Sequence, residues 1–215
     1  MDKKKRNGDF YTFLYAAIMV TVTAALLAFV SQILKPRQES NKREATRQNI
    51  LRSVHLEGRS YEQYIKDTTI GAEQLPLYLC TLDDGSRKYI IPLKGKGLWG
   101  PLWGYLSLNA DGQTIFGAVF DHEGETPGLG AEVSRPEFSM PFSGKSLFRD
   151  STFVSVSVLK PGKGGARNAN QVDGISGGTL TSRGIENMIR ETIQLYLPIL
   201  DALIQKEAYE QTNLP

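Results

Sequence analysis

Four hydroxyl side chains, Ser176, Thr179, Thr181 and Ser182, crowd the stretch DGISGGTLTS (173–182) together with Asp173 and the glycines Gly174, Gly177 and Gly178. Glycine reaches positive φ without steric penalty and lets backbone come close to a bulky group, so a loop of this make-up suits a ligand. Apolar residues at helical spacing follow it. The start of a helix offers unpaired N–H groups and the positive end of its dipole to an anion such as a phosphate. Thr181 or Ser182 is the expected N-cap. A plain glycine-rich capped turn is the competing reading. Against it, Glu186 lies four residues after Ser182, one too many for a capping box, and the hydroxyls outnumber what capping uses.

Two further stretches carry chemical side chains. HEGETPGLG (122–130) joins His122, Glu123 and Glu125 to glycines and a proline. By type these residues suit an acid/base pair or a metal, but they lack the helical HExxH spacing, and the other histidine, His55, belongs to a distant helical segment. A threonine-nucleophile hydrolase with His122 as base lacks a strand–turn–helix elbow. In GKGLWGPLWGYL (95–106), Trp99 and Trp103 stand among glycines. They suit either core packing or a wall for a flat aromatic ligand. The GKGG of PGKGGARNANQ lacks the GxxxxGK[ST] spacing and leads into more loop, so it is not a phosphate loop.

The elements that must position these loops are legible as patterns. LPLYLCTL and KYIIPL read as strands about the turn DDG at 83–85. The runs 103–109 and 114–121 form a hairpin about Asp111-Gly112, and STFVSVSVLK alternates strictly over 151–159 as a half-buried strand. A short helix is expected around YEQYIKD. Ile185, Met188, Ile189, Ile193, Tyr196, Leu200 and Leu203 fall on one helical face, with a break or kink at Pro198. The fold class is α+β, a mostly antiparallel sheet with helices packed on it.

Ahead of that domain, residues 10–34 contain no charge. As a helix they extend about 37 Å, enough to cross a hydrocarbon layer of roughly 30 Å with some tilt. The apolar run continues into SQILKPRQ without a cleavage signature, which favours a retained membrane anchor over a signal peptide. Lysines and arginines at 3–6 and at 35–47 flank the run almost evenly, so charge leaves the orientation open. A short basic tail before one span and a large domain is compatible with that domain lying outside the cytoplasm. The organisation expected is a basic cytoplasmic tail at 1–9, a transmembrane helix at 10–34, a juxtamembrane amphipathic helix at 35–58 ended by Gly58, and an extracytoplasmic domain at 59–215. A net charge of +2 gives no argument for a nucleic-acid partner, no basic run is interleaved with aromatics outside the N-terminal tail, and none is expected. The lone cysteine, Cys80, forms neither an intrachain disulfide nor a cysteine-only cluster site, and reads as a small buried hydrophobe.

DGISGGT resembles the flavinylation motif Asp-x-x-Ser/Thr-Gly-Ala-Thr, in which the threonine is joined to FMN by a phosphoester. HEGETPGLG resembles the partner loop of the same FMN-binding domains. With the single span and KYIIPLKGKGLWG, nearly the whole chain is similar to the C subunits of sodium-translocating NADH:quinone oxidoreductases. The resemblance implies Thr179 as the attachment residue, with Thr181 as the competitor, and Asp173, Gly174, Ser176 and Gly177 as the motif read by a flavin transferase. Gly178 departs from the usual alanine. Glu125, Thr126, Gly128 and Leu129 are implied to line the flavin and Trp99 to lie near its ring.

The same resemblance implies a covalent FMN that relays electrons among other subunits of a complex in the bacterial inner membrane. The chain has no Rossmann fingerprint for NADH and no cysteines for a cluster, and a single span supplies no polar midplane pocket for sodium or quinone. Those sites are expected in partner subunits. Two other readings remain: the G subunit of an Rnf-type ferredoxin:NAD oxidoreductase, against which KGKGLWG stands, and an anchored binding module without flavin.

Overall fold

Apolar side chains on both faces of the central strands give a five-stranded sheet that contributes to two cores. The computed structural model describes residues 3–164 and 168–212, and for 3–9 and 206–212 the backbone path alone. The strands are β1 (Ile65–Ile70), β2 (Leu75–Thr81), β3 (Arg87–Lys96), β4 (Pro101–Asn109) and β5 (Ile115–His122), antiparallel throughout and in the order β1-β2-β3-β4-β5. In β3, Tyr89, Ile91 and Leu93 enter one core while Ile90 enters the other, as the two-residue period requires. The first core is closed by Ile185, Met188, Ile189, Ile193, Tyr196 and Leu200 of a long C-terminal helix. The second is closed by Ile50, Leu51 and Val54, with Tyr61 and Tyr64. Cys80 is buried in the second core, and desolvation pushes its thiol up to about 11, so it stays protonated at neutral pH.

The expected α+β architecture, one apolar N-terminal helix and then a mostly antiparallel sheet with packed helices, is the one observed. The Asp111-Gly112 hairpin forms because Gly112 takes φ +65° while Asp111 Oδ1 accepts from the amides of Gln113 (2.8 Å) and Thr114 (2.9 Å). A bulge at Phe116 shifts the register of β5, so that Ile115 and Ala118, three residues apart, both reach the first core.

Several local expectations are corrected. Helix α1 (Lys3–Ser53) passes through Pro36 unbroken instead of separating into two helices. It stops at Ser53, before Gly58, with His55 in the left-handed region (φ 58°) and Leu56 N donating to Leu51 O at 2.9 Å, a Schellman closure. The helix at YEQYIKD is a single turn, α2 (Tyr61–Tyr64), and its continuation is strand β1. The alternating stretch 151–159 is not one strand. It divides into β7 (Thr152–Phe153), paired with β6 (Phe148–Arg149), and β8 (Ser157–Leu159), paired in parallel with β9 (Gln171–Asp173). Ser155 takes φ 62° between them, and the amides of Val154 and Ser155 both donate to Leu147 O, which breaks the ladder. A short helix, α3 (Pro136–Ser139), lies between 3-10 turns on the way from β5 to β6, and the last helix, α4 (Thr179–Thr212), passes Pro198 without a break.

The chain divides into two compact units, Met1–Thr46 and Arg47–Pro215. In the first, the apolar stretch of α1 is long enough to cross a membrane and none of it is buried by protein. Thr21 and Thr23 donate to Ala17 O and Met19 O at 2.8 Å, which satisfies both hydroxyls within the helix. The basic side chains of the 1–9 tail and residues 165–167 of the PGKGGARNANQ loop lie outside the described residues.

Candidate functional site

Three segments converge at one end of the sheet: the β3–β4 turn (97–100), the loop after β5 (123–130) and the first turn of α4. The turn is closed by Gly97 N donating to Gly100 O at 2.8 Å, and the loop leaves the sheet through Glu123 N donating to Pro101 O at 3.0 Å. Gly184 brings α4 onto the strands, since a Cβ there would stand 2.5 Å from Lys96 O. Tight packing at Gly184 thereby fixes where the helix start sits relative to the turn.

Glu125 ties the three segments together. Its Oε1 accepts from Trp99 N at 2.9 Å and its Oε2 accepts from Thr181 Oγ1 at 2.5 Å, while its own amide donates to His122 Nδ1 at 3.3 Å. Glu125 is 4% exposed and Thr181 2%. Burial raises the carboxyl's pKa, but the Thr181 hydroxyl and the amides of Trp99, Leu98 and Gly100 together lower it further, so it titrates below the ordinary carboxylate value. A Cβ on Gly97 would overlap Glu125 Oε1, and one on Gly130 would overlap Glu125 Oε2 and Thr181 Oγ1. Both positions are therefore open only to glycine while the carboxylate stays where it is.

Above this carboxylate lies a pocket of about 340 Å³, a size within the ordinary range for small-molecule sites. Leu98, Trp99, Leu129 and Leu180 wall it and are 50%, 70%, 43% and 54% exposed, an apolar rim with no protein cover. Gly177, Gly178, Thr179 and Thr181 from the start of α4, with Thr126 and Gly130 beside Glu125, complete its lining. Thr179 is exposed and is the first residue of α4, beside helix-start N–H groups that lack intrahelical acceptors. Ser182 and Thr181 are not N-caps. Thr181 donates to Glu125, and Ser182 Oγ accepts from Ile175 N at 3.0 Å, which pins the motif loop back onto the helix.

Among the expected site residues, Trp99, Glu125, Thr126, Leu129, Gly177, Gly178 and Thr179 meet at this pocket, and so does the competing threonine, Thr181. Asp173, Gly174 and Ser176 are not among the residues that line it. Asp173 Oδ1 accepts from Gly164 N at 2.7 Å, and Gly174 N donates to Leu159 O at 2.6 Å. Gly128 takes φ 74° in the turn that presents Leu129. Sequence reasoning did not name Leu98, Gly130 and Leu180 as walls. Two exposed leucines flanking tryptophan and threonine were the available signal. Trp103 is half-buried on β4 and outside the pocket. No cluster of three His, Cys, Asp or Glu side chains suited to a metal occurs among the described residues.

Residues 97–194 match the FMN-binding domain family, a span that contains every wall of the pocket. The chain is similar to the crystal structure of the C subunit of Na(+)-translocating NADH-quinone reductase from Parabacteroides distasonis, with a TM-score of 0.71, 41% identity, 78% of this chain covered and 96% of that one. The same-named protein of Vibrio anguillarum is 40% identical over 111 residues, covering 52% of this chain and 43% of that protein. The Shewanella oneidensis NqrC crystal structure shares the fold, with a TM-score of 0.66 at 23% identity over 76% of this chain and 99% of that one. The chain spans about half the length of the curated relatives it matches.

Proposed function

The chain belongs to the family of the C subunits of Na(+)-translocating NADH-quinone reductases, and from that premise we propose that it is an electron-carrying flavoprotein subunit whose FMN is attached by a phosphoester to Thr179. The observation that carries this reading is the contrast between two threonines in one helical turn. Thr179 is exposed on the pocket lip, whereas Thr181 is enclosed with its hydroxyl committed to Glu125. Only the first offers an oxygen that an incoming nucleotide can reach.

The pocket fits the group. Its apolar walls suit a flat aromatic ring, with Trp99 as the broadest surface. The start of α4 beside Thr179 supplies backbone N–H groups and the positive end of the helix dipole to a phosphodiester. Gly177 and Gly178 keep side chains away from that phosphate. When bound, FMN supplies the electron-transfer chemistry, and the protein supplies its orientation and electrostatic surroundings. A covalent bond makes occupancy independent of free flavin, an advantage for a domain held outside the cytoplasm by the apolar part of α1.

In this reading the partners are the other subunits of a complex in the bacterial inner membrane. NADH oxidation, quinone reduction and sodium movement belong to them. A flavin transferase installs the FMN before assembly. The test is expression of the full chain with a flavin transferase, followed by peptide mass mapping. The fragment containing Thr179 gains the mass of FMN less one water, and Thr179→Ala abolishes the gain while the protein melts as before. Modification retained in Thr179→Ala, or none in the unaltered chain, overturns the assignment.

A further inference from the structure

We infer that Glu125 is a tuning residue: a buried fixed negative charge behind the pocket that opposes addition of electrons to the group bound there and so holds its midpoint potential low. The inference rests on the FMN reading above and goes beyond it, because attachment at Thr179 by itself says nothing about Glu125.

Three observations carry it. First, the carboxylate is 4% exposed yet lines the pocket, so little water lies between it and whatever the pocket holds. Second, its surroundings supply donors that favour the ionised form, Trp99 N–H on one oxygen and the Thr181 hydroxyl on the other, and it titrates below the ordinary carboxylate value. Third, these donors are amide and hydroxyl dipoles. Among the described residues no Lys, Arg or His side chain makes an ion pair with Glu125, so its full unit of charge is not cancelled by a counter-ion. An unpaired buried charge is normally avoided, and a site that retains one while keeping Gly97 and Gly130 bare around its oxygens has a use for it. The carboxylate itself is buried, and a flat group seated against the leucines and Trp99 displaces water from the space between them, so the charge acts on that group with less screening than across bulk water. An electron added without a proton would make the bound group more negative, and the carboxylate would oppose that change.

The geometry also supplies a near-isosteric probe. In Glu125→Gln the amide oxygen keeps the Trp99 N–H bond. The amide nitrogen donates to Thr181 Oγ1, which reverses its role from donor to acceptor, so the shape survives and the charge is gone. Thr181→Val does the opposite, keeping the charge and removing one donor to it.

The experiment is spectroelectrochemical titration of the full flavinylated chain in detergent, wild type against both variants, after mass mapping has established flavin on Thr179 in each. Glu125→Gln is expected to shift the midpoint potential positive, and Thr181→Val to leave it in place or move it negative. A Glu125→Gln potential equal to or below that of wild type overturns the inference, as does a positive shift in Thr181→Val. If Glu125→Gln does not accumulate as folded protein, Glu125→Met, neutral and of similar length, takes its place, with the same positive shift expected and an unmoved potential overturning the inference. A wild-type chain without flavin sinks the attachment reading and this one together. Flavin on Thr179 with an unmoved Glu125→Gln potential sinks this one only.

Discussion

Thr181 Oγ1 lies 2.5 Å from Glu125 Oε2, and this bond spans 56 residues of sequence to join the first turn of α4 to the loop after β5. Two residues earlier, Thr179 is exposed. The two threonines therefore differ in what their loss does. Thr181→Val leaves a buried ionised oxygen short of a donor, a change that costs about 1–3 kcal/mol, whereas Thr179→Val falls within about 0.5 kcal/mol of wild type in the unmodified protein. Thermal unfolding of the two variants beside the unaltered chain separates them. Equal losses would mean that the Glu125 bond contributes nothing to holding α4.

The pH dependence of stability follows from the same carboxylate. Its pKa in the folded protein is depressed below the unfolded value of about 4.3. Its stabilisation is then fully present above the unfolded pKa and is lost as pH falls through the folded one. Glu125→Gln removes this contribution. The variant is expected to lose less stability than wild type when both are taken from pH 6 to pH 3, with the difference between their unfolding midpoints constant down to about pH 5 and narrowing only below the unfolded pKa. Parallel curves would place the acid sensitivity elsewhere.

Glycine substitutions around the carboxylate should rank by what a new methyl group meets. At Gly130 it overlaps both Glu125 Oε2 and Thr181 Oγ1, so Gly130→Ala must displace the central bond, with an overpacking loss of about 1–3 kcal/mol. At Gly178 the nearest atoms are Ile175 Cγ2 at 3.0 Å, Ile175 Cβ at 3.1 Å and Gly130 Cα at 3.4 Å, all apolar, and φ is not left-handed. Gly178→Ala introduces the alanine of the motif that this stretch resembles and needs only a small adjustment of Ile175. It is expected to stay within about 1 kcal/mol of wild type, partly offset by lower entropy of the unfolded chain. Chemical denaturation curves test the ranking, and full flavin loading of Gly178→Ala beside poor loading of Gly130→Ala would tie it to the site.

How much of this was legible beforehand depended on whether the signal was local. The hairpin at Asp111-Gly112 and the apolar face of α4 were readable because turn chemistry and helical period act within a few residues. The alternation over 151–159 misled because period two records which side chains are buried and not whether the backbone finds a ladder partner. Leu147 O collects two amides there, and Ser155 turns left-handed. Strand β1 was hidden by its composition, IKDTTI, which is polar because most of an edge strand is exposed. At the site, the motif residues could be picked out by their types. The division of labour between Thr179 and Thr181 could not, because it is set by Glu125, and no pattern within the motif points 56 residues upstream.

The boundary between the two units gives a final prediction. Ile50, Leu51 and Val54, at the end of α1, are 1%, 0% and 1% exposed in the second core, where they pack with Tyr61, Tyr64, Cys80 and Ile90. Ser53 O also accepts from the buried Ser107 hydroxyl of β4 at 2.5 Å. A chain beginning at Arg47 keeps all of these contacts and is expected to fold as a water-soluble domain that still accepts flavin. A chain beginning at Glu57 loses three buried aliphatic side chains, each contributing about 1.5–3 kcal/mol by burial, against a total stability on the order of 5–15 kcal/mol for a domain. It also uncovers the apolar face formed by Tyr64, Cys80 and Ile90. Circular dichroism and size exclusion should show a cooperative, monomeric domain for the first and aggregation or loss of cooperative melting for the second. If the shorter chain melted like the longer one, the last turns of α1 would be a tether to the domain and not part of its core.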